Sequence, residues 1–295
     1  MTVDQRHSLW STAVFMLVPL LLAGCVSRVP GQPVESSVPG AVPIEVFEQA
    51  QPPALGSCLD TVHGGIGPLG PPETVACSGP HGGEVARVAE IPAALDGSFP
   101  TDDDLNSDAW GEFLYGDEGC GEFLLANRYL GARDQDNLLV VTSAYLPKRI
   151  AWDGGARWVA CVVEYQIGIL EDANAPGRMA QAMRGVDAAS YRECWFGPEV
   201  VYDLVPCSQP HEAEPVGNAV SVAEGTPYPV DPLARRPLVE ACTNEVIDYL
   251  QRDIPNGFAA GIYLPSAEDW SLFPDAECVI LDASGRRWTG SAVDA

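Results

Sequence analysis

The longest apolar stretch of the chain runs from Leu9 to Leu22 and stops at Ala23-Gly24-Cys25. Its uninterrupted part, Ala13 to Leu22, is too short to cross a bilayer and has the length of the apolar region of a secretory signal. Beyond it, apolar residues come in short runs. Cys58-Leu59-Asp60-Thr61-Val62 and Glu73-Thr74-Val75-Ala76-Cys77 read as the strands of a hairpin about the turn-forming stretch Gly64 to Pro72. Leu138 to Thr142 and Trp158 to Val163 read as two more strands, and Gly197-Pro198 followed by Val200-Val201-Tyr202 marks the turn and returning strand of a second hairpin. Helical spacing shows in Leu238, Ala241, Cys242, Val246 and Leu250, behind Asp231 as cap and Pro232 at the first position. Thr101 with Asp104 resembles a capping box, Cys120, Phe123, Leu124 and Tyr129 or Leu130 suggest a second helical face, and Ala175 to Arg184 a short helix. The pattern predicts an α+β fold.

Leu22-Ala23-Gly24-Cys25 has the small residues that must precede an acylated cysteine. Residues 1–24 are therefore expected to be a lipoprotein signal peptide and Cys25 the lipidated first residue, which holds the protein to the outer face of the cytoplasmic membrane. Residues 25–56 follow with Pro30, Pro33, Pro39, Pro43, Pro52 and Pro53 among Gly, Ser, Gln and Glu, a composition that cannot bury enough apolar area to offset chain entropy. This is a tether, extended at about 3.1 Å per residue.

Charge narrows the partners. Removing residues 1–24 takes away one acid, Asp4, and one base, Arg6, so the net charge stays at −25. Such a surface repels nucleic acid and anionic headgroups, which excludes a nucleic-acid role. A single lysine, Lys148, leaves little room for lysine-based catalysis.

The remaining eight cysteines fall into two sets of four with matching surroundings. Cys77-Ser78-Gly79-Pro80-His81-Gly82-Gly83-Glu84 recurs as Cys207-Ser208-Gln209-Pro210-His211-Glu212-Ala213-Glu214. Tyr145-Leu146-Pro147 with Trp152 and Cys161 recurs as Tyr263-Leu264-Pro265 with Trp270 and Cys278. Two blocks in the same order, about 120 residues apart, predict a tandem duplication of a small disulfide-bonded domain, each copy an antiparallel sheet packed with one or two helices. The copies are expected at 57–167 and 190–285, with a linker at 168–189 and a tail at 286–295.

In an exported chain an even set of cysteines reads first as disulfides, and four per copy allow three pairings. The two hairpins place Cys58 opposite Cys77 and Cys194 opposite Cys207. The pairs left are Cys120 with Cys161 and Cys242 with Cys278, each expected to join a helix to a strand.

With these blocks assembled, the repeated unit resembles the septum formation domain family of actinobacterial cell-envelope proteins, over about residues 57–165 and 190–282. The C-S-x-P-H-x-x-E block, at Cys77 to Glu84 and Cys207 to Glu214, is the most specific part of the resemblance. It implies an envelope or membrane-anchored protein and carries no catalytic activity with it.

Pro80, His81 and Glu84, with Pro210, His211 and Glu214, are the most tempting chemistry. The Cys-x3-His spacing lies in the range of zinc sites, but cysteines oxidised to disulfides offer no thiolate, so no metal and no cofactor is expected. The favoured role of the imidazole is structural, bonded to Glu84 or Glu214 or to turn backbone, with an interaction surface as the other possibility. Asp102-Asp103-Asp104 with Asn106 and Asp108 imitates a calcium loop, but Ser107 stands where glycine is required and Phe113 at the twelfth position, so helix capping is favoured. No nucleophile elbow, H-E-x-x-H motif or phosphate loop is present, and no catalytic residue is assigned. Trp152, Trp158, Trp195, Trp270 and Trp288 offer a glycan or peptide groove but fit better as cores. Two function classes follow. The first is a non-enzymatic envelope module, bound to the membrane through its lipid, whose paired domains bind another envelope protein or a cell-wall component. The other is a cell-wall hydrolase or ligand-binding accessory lipoprotein with a cleft between its domains.

Overall fold

The computed structural model describes residues 51–295 apart from 61–65, 68, 69, 135, 168–172 and 198–201. The signal peptide, Cys25, most of the tether, the tip of the first hairpin and Val200-Val201 lie outside the described residues. Both sheets fall within one compact unit, Val42–Ala295.

The first sheet contains β1 (Cys58–Leu59), β2 (Ile66–Gly67), β3 (Thr74–Val75), β4 (Gly83–Glu90), β5 (Val140–Tyr145) and β6 (Trp158–Tyr165) in the order β2-β5-β6-β4-β1-β3. All its pairings are antiparallel except the short β2 with β5. β6 lies between two long neighbours and is buried at every residue, which explains its near-continuous apolar sequence. On one face Val159 and Cys161 join Trp110, Phe113 and Leu114; on the other Trp158, Ala160 and Val162 join Leu59, Val85 and Ala151. This is the period-two alternation of a strand covered on both sides.

Helices α1 (Asp102–Leu105), α2 (Asp108–Tyr115), α3 (Glu122–Leu130) and α4 (Arg149–Asp153) belong to this half. Thr101 caps α1 in a capping box with Asp104, and Ser107 caps α2. The acidic run is thus occupied as a helix start. Cys120 sits in the turn before α3, its N–H bonded to Leu114 O at 2.8 Å, and not on a helix.

The second sheet contains β7 (Glu193–Phe196), β8 (Asp203–Pro206), β9 (Ala213–Ser221), β10 (Phe258–Tyr263) and β11 (Asp275–Asp282) in the order β10-β11-β9-β7-β8, all antiparallel. The long helix α5 (Pro232–Leu250) covers it, capped by Asp231, which accepts from Leu233 N and Ala234 N. Its inner side, Leu238, Cys242, Val246 and Leu250, packs on Val216, Ile262, Leu264 and Ile280. A short α6 (Ala267–Trp270) follows β10. Among the described residues no helix is long and apolar enough to cross a membrane.

Ala175 to Arg184 is not a helix; only Ala182–Arg184 makes a 3-10 turn. Pro176-Gly177 interrupts it, and its donors go elsewhere, Ala175 N to His81 O and Met179 N to Glu84. Four disulfides, Cys58–Cys77, Cys120–Cys161, Cys194–Cys207 and Cys242–Cys278, close the halves internally.

Trp152 and Trp270 anchor the two cores in the same way. Trp152 Nε1 donates to Gly97 O (3.1 Å) with Phe99 edge-on, and Trp270 Nε1 donates to Thr226 O (2.9 Å) with Tyr228 edge-on. Trp270→Ala removes a buried indole and leaves a cavity, so it is expected to cost about 3–5 kcal/mol in a urea titration, whereas Leu233→Ala, at an exposed site, stays within about 0.5 kcal/mol.

Candidate functional site

The first C-S-x-P-H-x-x-E block turns the chain from β3 into β4. Pro80 is exposed at the turn, and His81 and Glu84 are both fully buried. Four donors converge on the Glu84 carboxylate. Oε2 accepts from the Tyr129 hydroxyl at 2.6 Å; Oε1 accepts from Met179 N at 2.8 Å and lies 3.3 Å from His81 Nε2 and 3.5 Å from Arg178 Nε. The other ring nitrogen, His81 Nδ1, is 3.0 Å from Gly79 O. A carbonyl accepts only, so Nδ1 carries a proton, and the contact with Glu84 requires a second proton between the pair. The carboxylate therefore draws together α3, β4 and the segment after β6. A buried charge is tolerable only with such saturation.

The second block has the same turn before its histidine, Gln209 N to Pro206 O as Gly79 N to Ala76 O, and different pairing beyond it. His211 Nδ1 donates to Gln209 O at 2.8 Å, and the His211 main chain exchanges both hydrogen bonds with Trp288, whose ring stands edge-on at 4.2 Å. Glu214 does not hold His211. Its oxygens accept from the Ser291 hydroxyl (2.6 Å) and Ala292 N (2.7 Å), and His211 Nε2 is buried without a hydrogen-bond partner. Burial lowers the His211 pKa against the opposing pull of the Gln209 bond, and burial raises the Glu214 carboxyl. The common device is a buried glutamate that captures a backbone N–H of the segment returning after the last strand, Met179 after β6 and Ala292 after β11.

The sulfurs close in on these imidazoles. Cys58, His81 and Glu84 offer donor atoms within 4.8 Å of one another, as do Cys194, Cys207 and His211. In both groups the sulfur is bound in a disulfide, so the soft anionic ligand that a zinc site needs is missing from the oxidised chain. Both histidines are 0 % exposed, which rules them out as a contact surface. Trp152, Trp158, Trp195 and Trp270 are buried in cores and Trp288 is half-buried.

The family model described as septum formation matches residues 55–271 in one stretch. The chain belongs to the septum formation family. No curated protein and no solved structure matches it. In this septum formation protein the matched stretch opens just before Cys58 and includes both His-x-x-Glu blocks, but ends before Cys278 and before Ser291 and Ala292.

A second polar centre of the septum formation protein joins its sheets. Residues 137–139 run against 191–193, with Leu139 N bonded to Tyr191 O and Glu193 N to Asn137 O. Beside them Asp136 is 2 % exposed, its Oδ1 2.6 Å from Arg133 Nη2 and 2.9 Å from Arg192 Nη1. Arg133 also donates to Tyr249 O at 2.6 Å and lies over the Tyr249 ring. Burial pushes the Asp136 carboxyl up, but the two arginines outweigh it and hold it below its ordinary value. Only the Arg133–Asp136 pair is local; Arg192 lies 56 residues from Asp136 and Tyr249 lies 116 from Arg133, so the sequence does not mark the rest of the centre.

Two outcomes test the glutamates. Glu84→Ala strands His81, Arg178 and Met179 N–H and is expected to cost about 3–5 kcal/mol of unfolding free energy in a urea titration, with Glu84→Gln recovering part of the loss. For Glu214 the folded pKa lies above its ordinary 4.5, so the native state binds the extra proton and stability falls as pH rises through the window above 4.5. Melting temperatures measured from pH 4.5 upward should fall less steeply in Glu214→Gln than in the wild type.

Proposed function

We propose that this chain is a non-enzymatic, lipid-anchored interaction module of the cell envelope, held by Cys25 on the outer face of the cytoplasmic membrane and acting in septum formation or cell-wall growth. Its folded part is two copies of one small domain. The strand orders β5-β6-β4-β1-β3 and β10-β11-β9-β7-β8 support that reading, as do the matching registers, Cys58 opposite Val75 and Cys194 opposite Val205, Tyr145 opposite Ala160 and Tyr263 opposite Glu277.

The observation that carries the binding role is the burial of His81, Glu84, His211 and Glu214. A repeated motif that faces inward and holds chain segments maintains a scaffold, and recognition is left to the surface. The family assignment supports the septal context, and four disulfides fit an oxidising space outside the cytoplasm. The partner is another envelope protein or a cell-wall component, engaged at two linked domains so that effective concentration adds to modest affinity. The net charge of −25 favours neutral or basic partners.

One observation favours a second reading, a hydrolase or ligand-binding accessory. A cleft of about 310 Å³ is lined by Asp136, Asn137 and Leu138 from one half and Glu193 from the other. Burial raises the Glu193 carboxyl, whose Oε1 accepts from Trp195 Nε1 at 2.6 Å.

A fluorescent fusion of the full-length chain, followed through division in the native host, is expected to gather at the septum after the division proteins arrive and to lose its membrane attachment in Cys25→Ala. An even halo at all stages overturns the septal role. Turnover of peptidoglycan by the purified protein, abolished in Glu193→Gln, puts the second reading in place of the first.

A further inference from the structure

The two halves carry clefts at matching places, and among the described residues the segment before the first cysteine of each half lines only one of them. In the first half a cleft of about 270 Å³ is lined by Pro52, Pro53, Pro71, Pro72, Lys148 and Trp158. In the second half a cleft of about 340 Å³ is lined by Tyr202, Tyr263 and Phe273 together with Asp269, Asp275 and Glu277. The registers make these the same site. Pairing Cys58 with Val75 and Cys194 with Val205 sets Pro72 at the place of Tyr202, and counting back from Cys161 and Cys278 sets Trp158 at the place of Asp275. Lys148, after Tyr-Leu-Pro, answers to Ser266.

Among the described residues the second cleft has no lining at the place of Pro52 and Pro53, and its one proline, Pro265, comes from the Tyr-Leu-Pro turn. Ala188 and Ala189, at the distance before Cys194 that Pro52 and Pro53 keep before Cys58, are folded into a 3-10 turn, with Ala189 O bonded to Ser208 N. Two of its lining residues, Tyr202 and Tyr263, belong to an aromatic stack with Trp195. Tyr202 stacks on Trp195 with ring centres 4.1 Å apart and planes 15° apart, and Tyr263 leans against both. Phe273, which lines the cleft, is 68 % exposed. Lys148 of the first cleft is replaced by Ser266, so three carboxylates line the second cleft with no lysine or arginine among the described residues. The groups sense that imbalance: burial and then Asp275 raise the Glu277 carboxyl, and burial, Glu277 and Glu193 raise the Tyr202 phenol.

We propose that this second cleft binds an extended, proline-bearing peptide segment of an envelope partner, with a basic side chain of that segment placed among Asp269, Asp275 and Glu277. Proline segments dock on aromatic-lined grooves because their extended helix is already ordered and loses little entropy. The carboxylates supply the charge complementarity, and a guanidinium or ammonium over a tyrosine face adds to it. The proposal rests on the binding-module reading and names the class of its partner.

The test is calorimetric titration of the full-length protein in detergent micelles with a short synthetic peptide of prolines interspersed with arginines. Binding is expected, weakened about tenfold or more by Tyr202→Ala, by the surface pair Asp269→Asn with Glu277→Gln, by glutamate in place of arginine, and by alanine in place of proline. Pro52→Ala, at the other cleft, should leave it unchanged. The surface pair keeps the test valid if Tyr202→Ala fails to fold. No binding, binding indifferent to both cleft variants, or binding of peptidoglycan glycan fragments in place of the peptide overturns the proposal. Septal gathering that persists in the Asp269→Asn, Glu277→Gln chain alongside absent peptide binding removes this cleft and leaves the binding module standing; loss of septal gathering in the wild type removes the module itself.

Discussion

A carboxylate shut away from solvent must be surrounded by donors, and the segments that return after β6 and β11 satisfy two such carboxylates. Glu84 is the second residue of β4, and Glu214 the second residue of β9. In each half the last strand has already passed when the donor arrives, so the chain must come back over the block to deliver Met179 N or Ala292 N. That return explains why the segments after β6 and β11 lie packed on the sheets. It also explains why Ala175 to Arg184 gives up helical bonding, since an amide donated to Glu84 or His81 is not available to a helix.

The two halves reach the same end by different pairings, and the difference is informative about the imidazoles. In the first half His81 faces an acceptor at each ring nitrogen, so it shares a proton with Glu84. In the second, Ser291 takes part of the carboxylate's demand, and His211 is left with one bonded nitrogen and the Trp288 ring for company. The backbone job of the histidine is constant, an Nδ1–H held by the carbonyl two residues earlier at 3.0 and 2.8 Å, which fixes the turn into β4 or β9. Its chemistry at Nε2 is free to differ because neither ring meets solvent.

The halves are tied at their edges by the pairing of residues 137–139 with 191–193 and by Asp136 held between Arg133 and Arg192. The matching clefts lie elsewhere, beside Trp158 in one half and Asp275 in the other.

What the sequence by itself determined is what depends on neighbours along the chain. The α+β class follows from short apolar runs beside helical spacing, the caps at Thr101 and Asp231 from a side chain within reach of amides two or three residues on, and the net charge from composition. Disulfide bonding was legible in an even set of cysteines in repeated surroundings. The repeated block was legible as a motif, and His81 with Glu84 as a pair, but Tyr129, Arg178 and Met179 were not. They lie 45, 94 and 95 residues from Glu84, and no local pattern says which donor a buried carboxylate will find. The tertiary structure alone decided that His211 would be separated from Glu214, that Asp136 would meet Arg192, and that Tyr202 and Tyr263 would share one aromatic stack. Each of these depends on the return path of a distant segment, which is set by packing and by the need to satisfy buried charge, and not by spacing along the chain.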